Sequence, residues 1–146
     1  MATNSDRQST WGLVPLRLIV GIVFIAHGWL KFSSFGVEGT TKFMGRLGVP
    51  VPGVIAVYVI VLEMIGGLAL ILGGFTRFFA ALFVCDMLGA IFFAKRSAGF
   101  FGPNGWEFEL TLCAASLTLA MVGAGGASID ALRGTRAVER RPIIGS

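Results

Sequence analysis

The stretch from Trp11 to Phe32, WGLVPLRLIVGIVFIAHGWLKF, decides how the rest of the chain is read. Its length matches the ~20 apolar residues that carry a helix across a ~30 Å hydrocarbon core. It lacks the period-2 alternation of a barrel strand, and in lipid only helices or closed barrels satisfy every backbone group. Three further stretches of the same kind follow, Val51–Leu72, Phe78–Ala94 and Phe108–Gly126. The expectation is therefore an all-α integral membrane protein, a four-helix bundle with antiparallel neighbours. A cleaved signal peptide is the competing reading of the first stretch. It is too long for a signal core, carries Arg17 and His27, and is not followed by a small-x-small cleavage site. It is read as helix 1 of the mature protein.

Composition agrees. Of the 146 residues, 55% are hydrophobic and only 14% charged, against the roughly 25% charged of a soluble globule. The mean hydropathy is +0.81. This excludes a secreted disulfide scaffold, a nucleic-acid module and a disordered tail. The organisation follows as an N-terminal tail (1–10), a transmembrane domain (11–132) and a basic C-terminal tail (133–146).

The connections set the topology. Gly73-Gly74-Phe75-Thr76-Arg77 is a helix stop and tight turn, so helices 2 and 3 must be antiparallel neighbours. The longer connections, Ser33–Pro50 and Lys95–Glu107, fall together at the opposite end. In the first, Lys42 and Arg46 alternate with Phe43, Met44 and Leu47, a pattern suited to a short interfacial helix between helices 1 and 2. In the second, the run from Phe100 to Trp106 reads as an aromatic turn at the interface. The tight-loop side carries seven of the twelve Lys and Arg residues, including Arg77, Arg133, Arg136, Arg140 and Arg141. The positive-inside rule then places both termini in the cytoplasm of a cell with this protein in its inner (plasma) membrane. Basic flanks on anionic lipid account for the pI of about 9.7 without nucleic acid.

Function is sought in the polar residues that lipid excludes unless they are paired. Glu63 lies nine residues before Leu72 and Asp86 nine after Arg77, which puts both about 13 Å from the tight-loop end. Arg17, some 8 Å into helix 1, either joins those carboxylates or snorkels to the interface. A second grouping is expected near the other end. His27 and Lys31 share a helix face at i, i+4, and Glu107 and Glu109 open helix 4 on the same side. Beside Trp106, these groups have the chemistry to move a proton or hydrogen-bond the carbonyl of a quinone head group. Plainer readings stand beside these: Glu107 and Glu109 as ordinary acids at a helix N-terminus, and Asp86 as hydrogen-bonding glue between helices.

Cysteine and histidine counts close other routes. Cys85 and Cys113 sit at different expected depths, there is no C-x-x-C motif, and one histidine cannot supply both axial ligands of a bis-His haem. No Cys/His cluster offers a zinc or iron–sulfur site, and no flavin or haem motif is present.

A set of ordered fragments completes the reading. Leu16-Arg17-Leu18, Gly21, Phe24 and His27-Gly28-x-x-Lys31-Phe32 are followed by Gly48-Val49-Pro50. Then come Glu63-x-x-Gly66-Gly67-Leu68-Ala69-Leu70-x-x-Gly73, Thr76-Arg77, and Asn104-Gly105-Trp106-Glu107-Phe108. Gly123-x-Gly125-x-x-Ser128-x-Asp130 ends the series. In this order, from about Leu13 to Leu132, the chain resembles the DoxX family of small membrane proteins. The resemblance implies a four-helix bundle in a functionally mixed group that includes quinone-linked oxidoreductase subunits and proteins of redox or thiol stress defence. Its polar marks fall on Arg17, His27, Lys31, Glu63 and Glu107. It departs from the pattern after helix 3, where Lys95 and Arg96 stand in place of a histidine, which speaks against a mechanism that needs two.

Two expectations of different class result. One is a redox-associated subunit that binds a quinone, with His27 and Glu107 as head-group and proton partners and Arg17 with Glu63 behind them. Such a subunit acts with membrane lipid, as a homo-oligomer or in a complex with an oxidoreductase partner. The other is a non-catalytic anchor, assembly partner or small-molecule conduit whose buried charges fix helix packing.

Overall fold

The computed structural model describes residues 4–102 and 104–132. Its described residues are helical, with no strand among them. Helix α1 (Asn4–Leu30) runs through a π turn (Lys31–Phe35) into the amphipathic α2 (Gly36–Arg46). Helix α3 (Pro52–Val61) continues through a second π turn (Leu62–Gly66) into α4 (Gly67–Leu72). Helix α5 (Thr76–Ala90) ends in a third π turn (Ile91–Lys95), and α6 (Glu107–Val122) returns beside it. The helix thus begins within the expected N-terminal tail, and the expected C-terminal tail (133–146) lies outside the described residues.

Three helical segments are long and apolar enough to cross a membrane: Trp11–Arg46, Pro52–Leu72 and Thr76–Lys95. Their outward residues, among them Ile19, Ile22, Ile65, Leu68, Phe78 and Phe92, are large, apolar and exposed, as lipid contact requires. The fourth expected stretch is shorter than its hydropathy suggests. At 16 residues α6 is about 24 Å long, because Gly123 leaves the helix at φ 98° and the chain turns inward.

Register between the first two rods is fixed by glycine. A Cβ added at Gly21 would lie 2.7 Å from the Gly67 carbonyl oxygen, and one at Gly67 would lie 2.8 Å from that of Gly21. Two backbones come this close only where neither residue has a side chain. Seven residues further along α1, Gly28 presses on Glu63 and Met64 with the same intimacy. Lys31 is thereby level with the middle of the second rod. The apolar length predicts that helix 1 stops at Phe32, which would leave Lys31 near its outer end. In fact the helix continues to Phe35, and only Gly36, at φ 65°, turns the chain into α2. That short helix between the first two rods is present as expected, with an exposed Glu38–Lys42 ion pair on its polar face.

The interior packs around Phe24 of α1 and Phe83 of α5, whose rings stack with centroids 3.6 Å apart. Leu62, Leu70, Met87, Leu112 and Leu119 surround them. At the tight-loop end Gly73 takes the left-handed conformation, and the Gly73 and Gly74 amides close α4 on the Leu70 and Ala69 carbonyls. The Asp130 carboxylate accepts the Phe75 and Thr76 amides at 2.9 and 3.0 Å, which caps the start of α5.

Replacing Gly21 or Gly67 with leucine is expected to abolish a monodisperse, folded protein in detergent size-exclusion chromatography. Gly12→Leu, at a position with open space around it, is expected to leave the elution profile unchanged.

Candidate functional site

Between the first three rods and α6 lies a cavity of about 370 Å³. Its walls are mostly apolar, with Phe24, Tyr58, Met87 and Phe108 among them, and Phe43, Met44 and Leu47 of α2 close one side. Among the described residues five acidic or basic side chains line it, beside Tyr58 and Cys85: His27 and Lys31 from the first rod, Glu63 from the second, Asp86 from α5 and Glu109 from α6.

Lys31 and Glu63 form its centre. The Lys31 ammonium donates to both carboxylate oxygens of Glu63, at 2.8 and 2.6 Å. The Glu63 side chain is only 3% exposed, and that of Lys31 27%. A carboxylate this deeply buried is tolerable in hydrocarbon only with such a partner. Asp86 stands close enough to interact with both charges. Its Oδ2 is buried without a hydrogen-bond partner among the described residues. Glu109 is similarly placed. One of its oxygens meets the Lys95 ammonium at 3.4 Å, while Oε2 is buried and unpartnered among the described residues. His27 lies against Phe108, ring centroids 5.8 Å apart, within the fields of Lys31 and Glu109.

The three π turns add a common feature. Each widens its helix at or beside a charged residue of this neighbourhood: Lys31 opens the first, Glu63 sits in the second and Lys95 closes the third. Such bulges concentrate at functional sites, since they re-aim side chains and loosen the backbone ladder.

The expected groupings are thus partly rearranged. Glu63 and Asp86 share a level, as their spacing implied, but their cation is Lys31 and not Arg17. Arg17 is 2% exposed at the tight-loop end, so it does not snorkel. Its guanidinium donates to the Ala124 and Ala127 carbonyls at 2.7 and 2.9 Å, because the glycine register sets it level with Gly73 and the closing loop. Glu107 does not reach the cavity. It opens α6 beneath the Gly105 turn, with its amide bonded to the Phe100 carbonyl. Trp106 packs edge-on against Phe100, ring centroids 4.7 Å apart, and also stays outside. Of the two acids expected beside His27, Glu109, two residues further on, is the one that lines the cavity. Tyr58, Lys95 and the Lys31–Glu63 pairing were not foreseen. The lone tyrosine in an aliphatic helix was the available signal for Tyr58, whereas the pairing needed the register.

Among the described residues no group of three or more His, Cys, Asp or Glu is arranged to hold a metal ion. The DoxX family model matches residues 12–96. The chain belongs to the DoxX family. It is 37% identical to a Bacillus subtilis (strain 168) protein that bears the name "Putative oxidoreductase CatD", over 82% of this chain and 84% of that one. It is 38% identical to "Inner membrane protein YqjF" of Escherichia coli (strain K12), over 83% and 91% of the two chains. With "Inner membrane protein YphA" of the same organism it shares 32% identity, over 81% and 87%. No solved structure matches. The matched segment of this DoxX protein carries His27, Lys31, Glu63 and Asp86.

Breaking the ion pair of this DoxX protein from either side, by Lys31→Met or Glu63→Leu, is expected to cost roughly 3 kcal/mol in detergent unfolding, because each leaves an unpartnered buried charge. The double variant is expected to regain more than half of that loss, and additive losses in the cycle would show that the two side chains do not pair.

Proposed function

We propose that this DoxX protein is a plasma-membrane subunit of a redox system and binds a quinone head group in the cavity beside Lys31, Glu63 and Asp86. The observation that carries the reading is the combination of an apolar cavity of about 370 Å³ with a buried carboxyl oxygen that has no partner among the described residues. Small-molecule sites are typically ~300–1,000 Å³, largely apolar, with a few placed polar groups. A quinone ring has this character, flat and apolar with two polar oxygens. A bound quinone accepts two electrons and two protons and leaves as the quinol.

The chain's own residues supply recognition and protons. Asp86, when protonated, donates a hydrogen bond to a carbonyl oxygen, and His27, which lines the same cavity, is a second donor. Lys31 is held by Glu63 and contributes positive potential toward charge that develops on an oxygen. The electrons come from an oxidoreductase partner, a reading supported by the word in the Bacillus relative's name. The tight-loop end, with exposed Arg77, faces the cytoplasm under the positive-inside rule, and the names of the Escherichia coli relatives support the inner membrane.

Mass spectrometry of the protein purified in mild detergent is expected to find a bound quinone. His27→Ala and Asp86→Leu should each lower its content at least about tenfold, the equivalent of one lost hydrogen bond of ~1.4 kcal/mol. Glu107→Gln, outside the cavity, should leave it unchanged. A stoichiometric co-purifying protein with no quinone would instead favour an anchoring or assembly role.

A further inference from the structure

Two charged groups near the cavity are not used by quinone recognition. Glu109 lines it from α6, and Lys95 holds Glu109 from the end of the third rod. Their side chains are 14% and 26% exposed, so the pair stands between the cavity and the end of the molecule that carries the long connections. Lys95 is itself tied to that end, since its ammonium also reaches the Gly105 carbonyl at 3.4 Å. Glu63 has no such access, its side chain being 3% exposed, while Lys31, at 27%, and the exposed His27 border the outside along the first rod.

We propose that Glu109, His27 and Asp86 form a proton-transfer route from water at the long-connection end to the interior of the cavity. The inference rests on the quinone reading only in its purpose, since the reduction of a quinone consumes protons. The route itself can be measured with no quinone present.

Three observations carry it. All three side chains line one cavity, which is large enough to hold several waters between them. Glu109 Oε2 and Asp86 Oδ2 are both buried acid oxygens without partners among the described residues, and unlike Glu107 Oε2, which shares that condition, both belong to residues that line the cavity. Buried polar atoms in this condition are costly, and a proton or a water is what each is suited to receive. His27 lines the same cavity and feels the charges of both Lys31 and Glu109. Ionisable residues inside a membrane protein recur as relays of this kind.

The other ionisable groups around the route have different positions or commitments. On the first two rods, Lys31 and Glu63 are bound to each other, and Tyr58 stands beside Asp86. On α5, Cys85 adjoins Asp86 at the cavity wall, and at the end of that rod Lys95 holds Glu109. Asp86 is therefore the inner acceptor and Glu109 the outer one. A proton from water adds to the Glu109 carboxylate and passes to the bare ring nitrogen of His27. The opposite ring N–H then gives its proton to the Asp86 carboxylate. Rotation of the ring restores the first tautomer, so one proton has moved inward and no electron has been exchanged. Lys95 is a positioning residue, because it holds the Glu109 carboxylate at the mouth without touching the transferred proton.

The test is hydrogen–deuterium exchange of the Asp86 carboxylic acid in the full-length protein, reconstituted in phosphatidylcholine–phosphatidylglycerol vesicles. Infrared spectroscopy follows its C=O stretch, identified by its loss in Asp86→Asn, after a switch to heavy water at acidic pH. Glu109→Gln and His27→Leu are each expected to slow exchange at least about tenfold, the low side of what a positioned proton-transfer group contributes. Glu109→Asp, which keeps the acid, should restore most of the rate. Exchange at the wild-type rate in both blocking variants would overturn the route, as would the absence of an Asp86 acid band at any pH the protein tolerates. His27 borders open space, so His27→Leu remains informative if the Glu109 variant fails to fold. Slowed exchange in a protein that never carries quinone would remove the quinone reading and leave the route standing. Bound quinone with unslowed exchange would do the reverse.

Discussion

A carboxylate in the middle of a hydrocarbon layer must have a cation beside it, and that constraint governs this molecule. Glu63 is 3% exposed at the side chain and sits midway along the second rod, too far from either end to reach water. Its partner has to come from a neighbouring helix at the same depth. Lys31 meets that requirement because the close approach of Gly21 to Gly67 sets the first two rods in one register. A shift by a single helical turn, about 5.4 Å, would pull the ammonium from the carboxylate and strand both charges. Packing and electrostatics thus specify the same alignment, and the agreement makes the alignment unique.

The buried charges divide into two sets with different uses. At the tight-loop end, Arg17 and Asp130 bind the backbone: the guanidinium takes two carbonyls of the closing loop, and the carboxylate takes two amides at the start of α5. Those hydrogen bonds are needed because the chain turns sharply there in a region with little water, and free backbone groups would be expensive. Arg17 Nε and Thr76 Oγ1 at that end nevertheless have no partner among the described residues, and neither do Asp86 Oδ2 and Glu109 Oε2 in the cavity. What sets the cavity apart is that its two unpartnered atoms are acid oxygens lining about 370 Å³ that the protein's own side chains do not fill.

Much of this was legible in the chain. The apolar lengths and the glycine-rich turn gave the helical membrane architecture, and counting residues from that turn put Glu63 and Asp86 at a common depth. The partner of Glu63 was not legible. Where helix 1 ends in the bilayer depends on Gly36, and the run of aromatic and polar residues from Lys31 to Phe35 gives no sign that the helix continues. A helix end a few residues too early leaves Lys31 at the interface and makes Arg17 the candidate cation for the cluster. The choice between Glu107 and Glu109 was similarly hidden, since both acids suit a helix N-terminus and only the fold of the Gly105 turn sends one beneath the loop and the other into the cavity.

The sequence by itself determined which segments leave water and which charges must be sheltered, because transfer from water depends on composition and length along the chain. The tertiary structure alone decided which charge shelters which. That choice rests on the register and rotation of packed helices, set by contacts between residues remote in sequence such as Gly21 with Gly67, and a linear pattern does not record them.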